Sequence, residues 1–331
     1  MTGATVSPER ILRELAGLWS SLGKQGETEG GAGVLRACSM TLVVMAEESE
    51  DFQALGETIA ALMPEHPARA IVVKLRGAGE RALTERVYSQ CWMPFGQRRQ
   101  ICCEQIELTV SDAALADLPS VVRPLAVPDL PLILWCRSAR LPDLPEFREI
   151  AAMARKVIVD SAGLPDPKAA LGRMADAAGR GALLGDLAWT RLTRWREMLS
   201  QVFENRRYLA RIERVSSVRV GFATGFEALA WYMGAWVMDA LGGAGVRAEL
   251  QVAPESAASL RVDLAGEGFH VGLERRQDRL TIAVDGLSNC TNLPRPTDYL
   301  LMREELGIVR HDPVFEKALA SAARLAYPEG K

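Results

Sequence analysis

The 331-residue sequence has only three histidines, His66, His270 and His311, and no G-x-S-x-G or H-E-x-x-H segment accompanies them. Serine–histidine hydrolysis and zinc-assisted hydrolysis therefore both lack parts. The six cysteines form no pair of C-x-x-C units, so a structural zinc framework is not expected, and in a reducing compartment they are expected as free thiols. No sign of charge dominates. Lys and Arg number 39 against 42 Asp and Glu, a net charge of −3, which gives no electrostatic reason to expect a nucleic acid or an anionic membrane as partner. The most hydrophobic stretch, ALAWYMGAWVM over 228–238, has 11 residues between Glu227 and Asp239, where a bilayer needs about 20. It reads as a buried helix. The first residues show no basic region followed by an apolar core and a cleavage site, so the expected location is the cytoplasm.

What is present is an ordinary globular composition, 48% apolar and 24% charged, with length for about two domains. Ser7 and Pro8 start a helix whose apolar face is Ile11, Leu12, Leu15, Leu18, Trp19 and Leu22. Compact runs come next: TLVVMA (41–46), AIVVKL (70–75), CCEQIELTV (102–110), LPLILWC (130–136) and KVIVDSA (156–162). Near-continuous Val, Ile and Leu runs are what strands buried on both faces look like. Helical spacing of Leu55, Ile59 and Leu62, and helix candidates before 130 and 156, lie between them. The alternation predicts an α/β fold: an N-terminal Rossmann-like, mostly parallel sheet with helices on both faces. The Gly-rich segment 177–186 is the expected boundary. Beyond it a long helix over 186–203, a strand, the aromatic helix, three strand-like runs and two closing helices read as a C-terminal α+β domain. The expected organisation is an N-terminal helix and linker over 1–30, a Rossmann-like domain over 31–180 and an α+β domain over 185–331.

The most tempting catalytic pattern is RGAGERA. Gly77, Gly79 and Ala82 fit G-x-G-x-x-A directly after a strand, the place of a dinucleotide fingerprint. Yet Glu80 would sit at the helix N-terminus meant for a pyrophosphate, and only Leu83 and Val87 are apolar in the helix that should come after it. An exposed hairpin or loop is the expected reading, and an NAD(P)-dependent oxidoreductase using the Gly77–Gly79 loop is the competing function. No cofactor and no metal site is expected. The acidic run EESED (47–51) reads as the solvated start of a helix.

In the helix over 186–203, Ala188, Leu192, Trp195, Leu199 and Phe203 make one stripe. Trp189 lies at its edge and Arg191, Arg194 and Arg196 lie outside it. Trp and Arg are enriched among interface anchors, so these four are candidates for a partner interface. Cys102 and Cys103 are adjacent in a strand, which puts Cys102 in line with Ile106, Leu108 and Val110, and Cys103 with Gln105, Glu107 and Thr109. Cys102 is expected in the core and Cys103 half wet. Adjacent Cα atoms about 3.8 Å apart disfavour a bond between the two. Glu104 and Glu107 would raise the pKa of Cys103, and Arg98 and Arg99 would lower it.

Taken together, CSMTLVV, HPARAIVV, QICCEQIELTV, LPSVVRPLAVPDLPLILWCRS, VIVDSAGLPDP, DLAWTRLTRWREMLSQVF and LMREELGIVRHDPVFEKAL resemble, in order from about residue 36 to 320, the OpcA family of glucose-6-phosphate dehydrogenase assembly proteins. LPSVVRPLAVPDLP and DLAWTRLTRWR are the most specific segments. The resemblance implies a non-catalytic cytoplasmic partner of glucose-6-phosphate dehydrogenase. It would promote the active oligomer or raise activity at the entry to the oxidative pentose phosphate pathway. It also implies, as in some relatives, a redox link through thioredoxin, for which Cys103 is the candidate thiol. Pro128, Asp129 and Pro131 join the interface candidates.

Overall fold

A computed structural model describes residues 6–28, 34–92 and 100–327. The chain divides into two compact units between Val159 and Asp160. That division lies before the Gly-rich segment, because helix α5 (Pro167–Gly179) packs against helices of the second unit. Arg98, Arg99 and most of the glycine cluster at 29–34 lie outside the described residues.

The first unit is α/β. Helix α1 (Pro8–Thr28) precedes strands β1 (Val34–Arg36) and β2 (Met40–Glu47). Helix α2 (Phe52–Leu62), capped by the Asp51 carboxylate, leads to β3 (Ala68–Leu75). Then come β4 (Leu83–Trp92), β5 (Gln100–Val110), α3 (Leu118–Leu125), β6 (Leu132–Cys136), α4 (Pro145–Met153) and β7 (Lys156–Val159). The strand order is β1-β5-β3-β2-β6-β7, with β4 also on β5. All pairs are parallel except β4 with β5. Residues Met40–Ala46 of β2 are all buried, as a central strand covered on both sides requires. Val43, Ile71 and Ile106 share a core with Ile11 and Leu15 of α1 and with α3 and α4. On the opposite face Lys74 lies 4.3 Å over the Phe52 ring of α2.

Helix α1 is fastened by charge as well as by its apolar stripe. The buried Glu104 carboxylate accepts from the Trp19 indole at 2.6 Å, Arg36 at 2.7 Å and Arg69 at 2.5 Å. Three donors around one carboxylate make its burial tolerable.

In the second unit α5 is followed by β8 (Leu184–Asp186), α6 (Leu187–Thr190), α7 (Thr193–Glu204) and α8 (Arg206–Leu209). The helix expected over 186–203 is thus broken at Arg191–Leu192. Next come β9 (Val215–Phe222), α9 (Glu227–Gly243), β10 (Glu249–Pro254), β11 (Leu260–Gly266), β12 (Phe269–Arg276), β13 (Arg279–Val284) and β14 (Leu287–Asn292). Helices α10 (Asp298–Gly307) and α11 (Pro313–Ala326) close the unit, the latter capped by the Asp312 carboxylate. The sheet order is β10-β9-β11-β12-β13-β14, parallel only between β9 and β10. Helix α9 makes that crossover and is buried on several sides, which explains why its sequence is apolar all round. Inward residues such as Val218, Val262 and Leu273 are buried, and their neighbours in sequence point away. At Gly266 the Arg214 carbonyl occupies the space a Cβ would need.

Candidate functional site

In a doubly wound sheet the ligand site lies at the carboxyl ends of the strands, where the strand order reverses. Here that point is between β2 and β6. The helix after β2 is α2, and its first N–H groups, the usual seat of a pyrophosphate, are taken by the Asp51 carboxylate at 3.0 and 3.1 Å. The EESED run is therefore a helix start, as expected, but its acids are also engaged. Glu47 accepts from the Ser138 hydroxyl and, at 2.9 Å, from Arg140. Arg140 reaches Asp112 at 2.6 Å, and both carboxylates hold its guanidinium more firmly protonated than usual. Arg137 binds Glu50 at 2.6 Å and lies 4.7 Å over the Trp135 ring. The crevice is lined by its own ion pairs, whose carboxylates disfavour a further anion, and only one buried Nη of Arg140 is left without a hydrogen-bond partner among the described side chains of the crevice.

The Gly77–Gly79 loop differs from a dinucleotide fingerprint in the element it feeds. It leads into β4, an antiparallel strand on β5, and not into a helix. Asp112 N–H donates to the Gly77 carbonyl at 2.9 Å and Ala82 N–H to the Ser111 hydroxyl at 2.9 Å. The loop is a strand connection tied to the end of β5. Among the described residues no group of three or more His, Cys, Asp or Glu is placed to hold a metal ion.

The cysteines depart from expectation. Cys91 of β4 and Cys102 of β5 are direct register partners, with Cα atoms 4.0 Å apart, and form a disulfide. Considering only the neighbours Cys102 and Cys103 misses it, since the partner stands on the adjacent strand. Cys103 is not half wet: it is 1% exposed, its thiol donates to the Ala37 carbonyl at 3.4 Å, and burial pushes its pKa up to about 11. Strand β5 is covered on both faces there, so a polar residue pattern does not mean a wet face.

Of the interface candidates, Trp189 is corrected. It is 3% exposed, packed against the rings of Tyr232 and Phe315 at 5.7 and 6.0 Å. The stripe from Ala188 to Leu199 is buried as read, yet short α6 is enclosed beyond it, so its edge is core too. Arg196 stacks on Trp189 at 3.6 Å and donates to its carbonyl at 2.9 Å, and burial lowers its pKa to about 10. Arg191 grips Asp160 through two 2.6 Å hydrogen bonds. Arg194 is exposed, with Glu197 at 2.8 Å. Pro128, Asp129 and Pro131 are exposed. Pro128 and Asp129, whose φ is 64°, form a tight turn closed by Leu130 N–H on the Val127 carbonyl at 3.4 Å, the geometry of a type II turn. Thr41 anchors it by accepting from Val127 N–H at 2.9 Å.

Sequence reading overlooks a buried acidic pair. Asp186, fully buried, accepts from the N–H groups of Ser161 at 3.0 Å and Ala188 at 2.9 Å and from the Tyr232 hydroxyl at 2.9 Å. Burial, aided by the Asp160 charge, pushes its pKa up to about 6. Glu305, also buried, accepts from the Thr190 hydroxyl at 2.8 Å. An Asp directly before a helix is a cap signal, and nothing in the local sequence marks it as buried.

Two family models match, described as the N-terminal and C-terminal domains of a glucose-6-phosphate dehydrogenase subunit, over residues 59–176 and 182–319. An OpcA protein of Nostoc punctiforme, provisionally assigned to the OxPP cycle, is 30% identical over 141 residues, 43% of this chain and 30% of that protein. Its counterpart in Synechocystis sp. is 25% identical over 250 residues, 73% of this chain and 52% of that one. The chain thus spans a third to a half of the length of these curated relatives. Among solved structures, an NAD binding oxidoreductase from Klebsiella pneumoniae overlaps 88% of this chain and 95% of its own at 10% identity and a TM-score of 0.49, and likeness this slight says nothing of shared chemistry. By the match of both family models across most of its length, this chain belongs to the OpcA family of glucose-6-phosphate dehydrogenase assembly proteins.

Proposed function

We propose that the protein is a non-catalytic cytoplasmic assembly factor and allosteric activator of a glucose-6-phosphate dehydrogenase, acting at the entry to the oxidative pentose phosphate pathway. The observation that carries this reading is the paired family match over both halves of the chain. The ion-paired crevice between β2 and β6 supports the non-catalytic part, since it offers no cradle for a dinucleotide and no free acid–base pair.

Docking uses exposed groups: Arg194 on α7, the rims of Arg191 and Arg196, and the turn formed by Pro128, Asp129 and Pro131. A turn fixed before binding loses little freedom on contact. The redox link runs through the Cys91–Cys102 disulfide, whose Cys91 stands on β4 and is partly exposed, with thioredoxin as the reductant. Cys103, buried against the Ala37 carbonyl and weakly acidic, stays outside this exchange.

The test mixes the purified chain with the dehydrogenase of its own organism and records activity and mass by light scattering. Co-elution with raised activity is expected, together with no calorimetric binding of NADP by the chain alone. Absence of co-elution and of any change in activity overturns the proposal.

A further inference from the structure

Helix α11 has one side in the core and the other in water. Phe315, Ala318, Leu319 and Ala322 are buried, with the Phe315 ring 6.1 Å from that of Tyr232 and the Ser321 hydroxyl donating to Asp239 at 3.0 Å. On the outer side Pro313, Lys317, Ala320 and Arg324 recur at helical spacing, and all are exposed. The connection from α10 extends this surface. Val309, Arg310 and His311 are exposed, and the bond from His311 to Glu316 ties the connection to the first turns of α11. Single exposed apolar side chains are ordinary on a soluble protein, but Val309 is 70% exposed and Val314 52% within one such tied segment, with exposed Pro313 between them in sequence.

The charges around these residues differ by sign in how they are engaged. Every nearby carboxylate has work inside the chain: Glu304 accepts from the Thr193 hydroxyl at 2.6 Å, Asp312 from the N–H groups of Val314 and Phe315 at 2.9 and 3.1 Å, and Glu316 holds His311. The cations do not. Among the described residues neither Arg310 nor Lys317 meets a carboxylate, and Arg324 donates only to the Ser321 hydroxyl at 3.3 Å. We propose that this surface docks an apolar patch rimmed by carboxylates on the dehydrogenase, with Val309, Pro313 and Val314 at the centre and Arg310, Lys317 and Arg324 at the rim. The inference rests on the assembly reading above and adds a contact to the groups named there. An apolar centre inside a charged rim is the layout of a specific interface, in which the rim steers encounter and the centre excludes water. A membrane-surface helix would instead present bulky Trp, Phe or Leu on its exposed apolar side, whereas this one offers valine, proline and alanine on a chain of net charge −3.

The experiment measures the affinity of the full-length chain for the dehydrogenase of its own organism at about 50 and about 500 mM salt. Wild type is expected to bind at both, more weakly at the higher. The double change Arg310→Glu with Lys317→Glu is expected to weaken binding at least tenfold at low salt and by less at high salt. Val314→Glu is expected to weaken it at least tenfold at both, through loss of the apolar centre. A carboxylate in the first turn of α11 suits the helix dipole, so this variant is expected to melt like wild type. Arg219→Glu is the control for charge reversal: it follows inward-facing Val218 on β9, so it points away from α9 and α11, and it is expected to bind like wild type. Binding by wild type and by both α11 variants with equal affinity overturns this inference and leaves the assembly reading standing. So does an equal loss with Arg219→Glu. Absence of binding by wild type overturns both readings. Pelleting of wild type with phosphatidylserine vesicles, abolished in the double variant, overturns the inference in favour of a membrane.

Discussion

Asp186→Asn isolates the effect of one buried charge on the stability of the second unit. In the folded protein burial pushes the Asp186 carboxyl from near 3.8 up to about 6. The folded state therefore holds a proton that the unfolded state releases first, and stability falls as pH rises through the window from about 4 to about 6. Above that window the loss is complete and levels off. At about 1.36 kcal/mol for each tenfold change in proton affinity it amounts to about 3 kcal/mol, an order-of-magnitude figure. The amide keeps an oxygen for the N–H groups of Ser161 and Ala188, and its nitrogen can donate to the Tyr232 oxygen. Urea unfolding of both proteins near pH 4.5 and near pH 8 reads the difference. About a third of the loss has already occurred at pH 4.5, so the variant is expected to exceed wild type by about 1 kcal/mol at the lower pH and by about 3 kcal/mol at the higher, the latter roughly 6–12 °C in melting temperature for a unit of this size. Parallel pH profiles for the two proteins would refute the reasoning, since the Asp186 charge would then cost nothing.

Brief alkylation with mass mapping is expected to label Cys290 first, because it is exposed and a Thr281 hydrogen bond lowers its pKa. Buried Cys103 and Cys136, the latter pushed up to about 12, should stay protected, and Cys91 and Cys102 should label only after reduction. Trp189→Ala should open a cavity between Tyr232 and Phe315 and strip Arg196 of its ring, destabilising the protein by about 3–5 kcal/mol in thermal unfolding. A fully stable variant with impaired dehydrogenase binding would instead restore Trp189 as a surface anchor. Gly266→Ala should yield little folded protein, because the intruding group meets the Arg214 backbone and not a flexible side chain. Normal soluble yield and melting would show that the β9–β11 irregularity can shift.

The central strands were legible because burial on both faces forces long runs of Val, Ile and Leu, as in β2 and β3. Strand β4 was not, since an edge strand carries Glu85 and Arg86 like a loop, and with β4 unseen its Cys91 could not be matched to Cys102. The break between α6 and α7 leaves no local mark, because Thr190, Arg191 and Leu192 continue the helical stripe without proline or glycine. The burial of Trp189 is silent in the sequence for a related reason. A periodic stripe marks one buried side, while a four-residue helix inserted among α9 and α11 is enclosed on more than one. That the Gly77–Gly79 loop does not open a helix could be read from Glu80 and the residues after it, but the ion pairs of the crevice join residues 47, 112 and 140 and exist only in three dimensions.

The layout of the second sheet also sets an order of assembly. Strands β11 to β14 succeed one another through tight connections, so their contacts close over short stretches of chain, whereas β9 and β10 cannot pair until all of α9 has crossed between them. Loop closure over longer separations is slower. Pulse-labelled amide exchange during refolding should therefore protect the β12–β13 hairpin before the β9–β10 pair, and the parallel edge of the sheet is the part a refolding chain completes last.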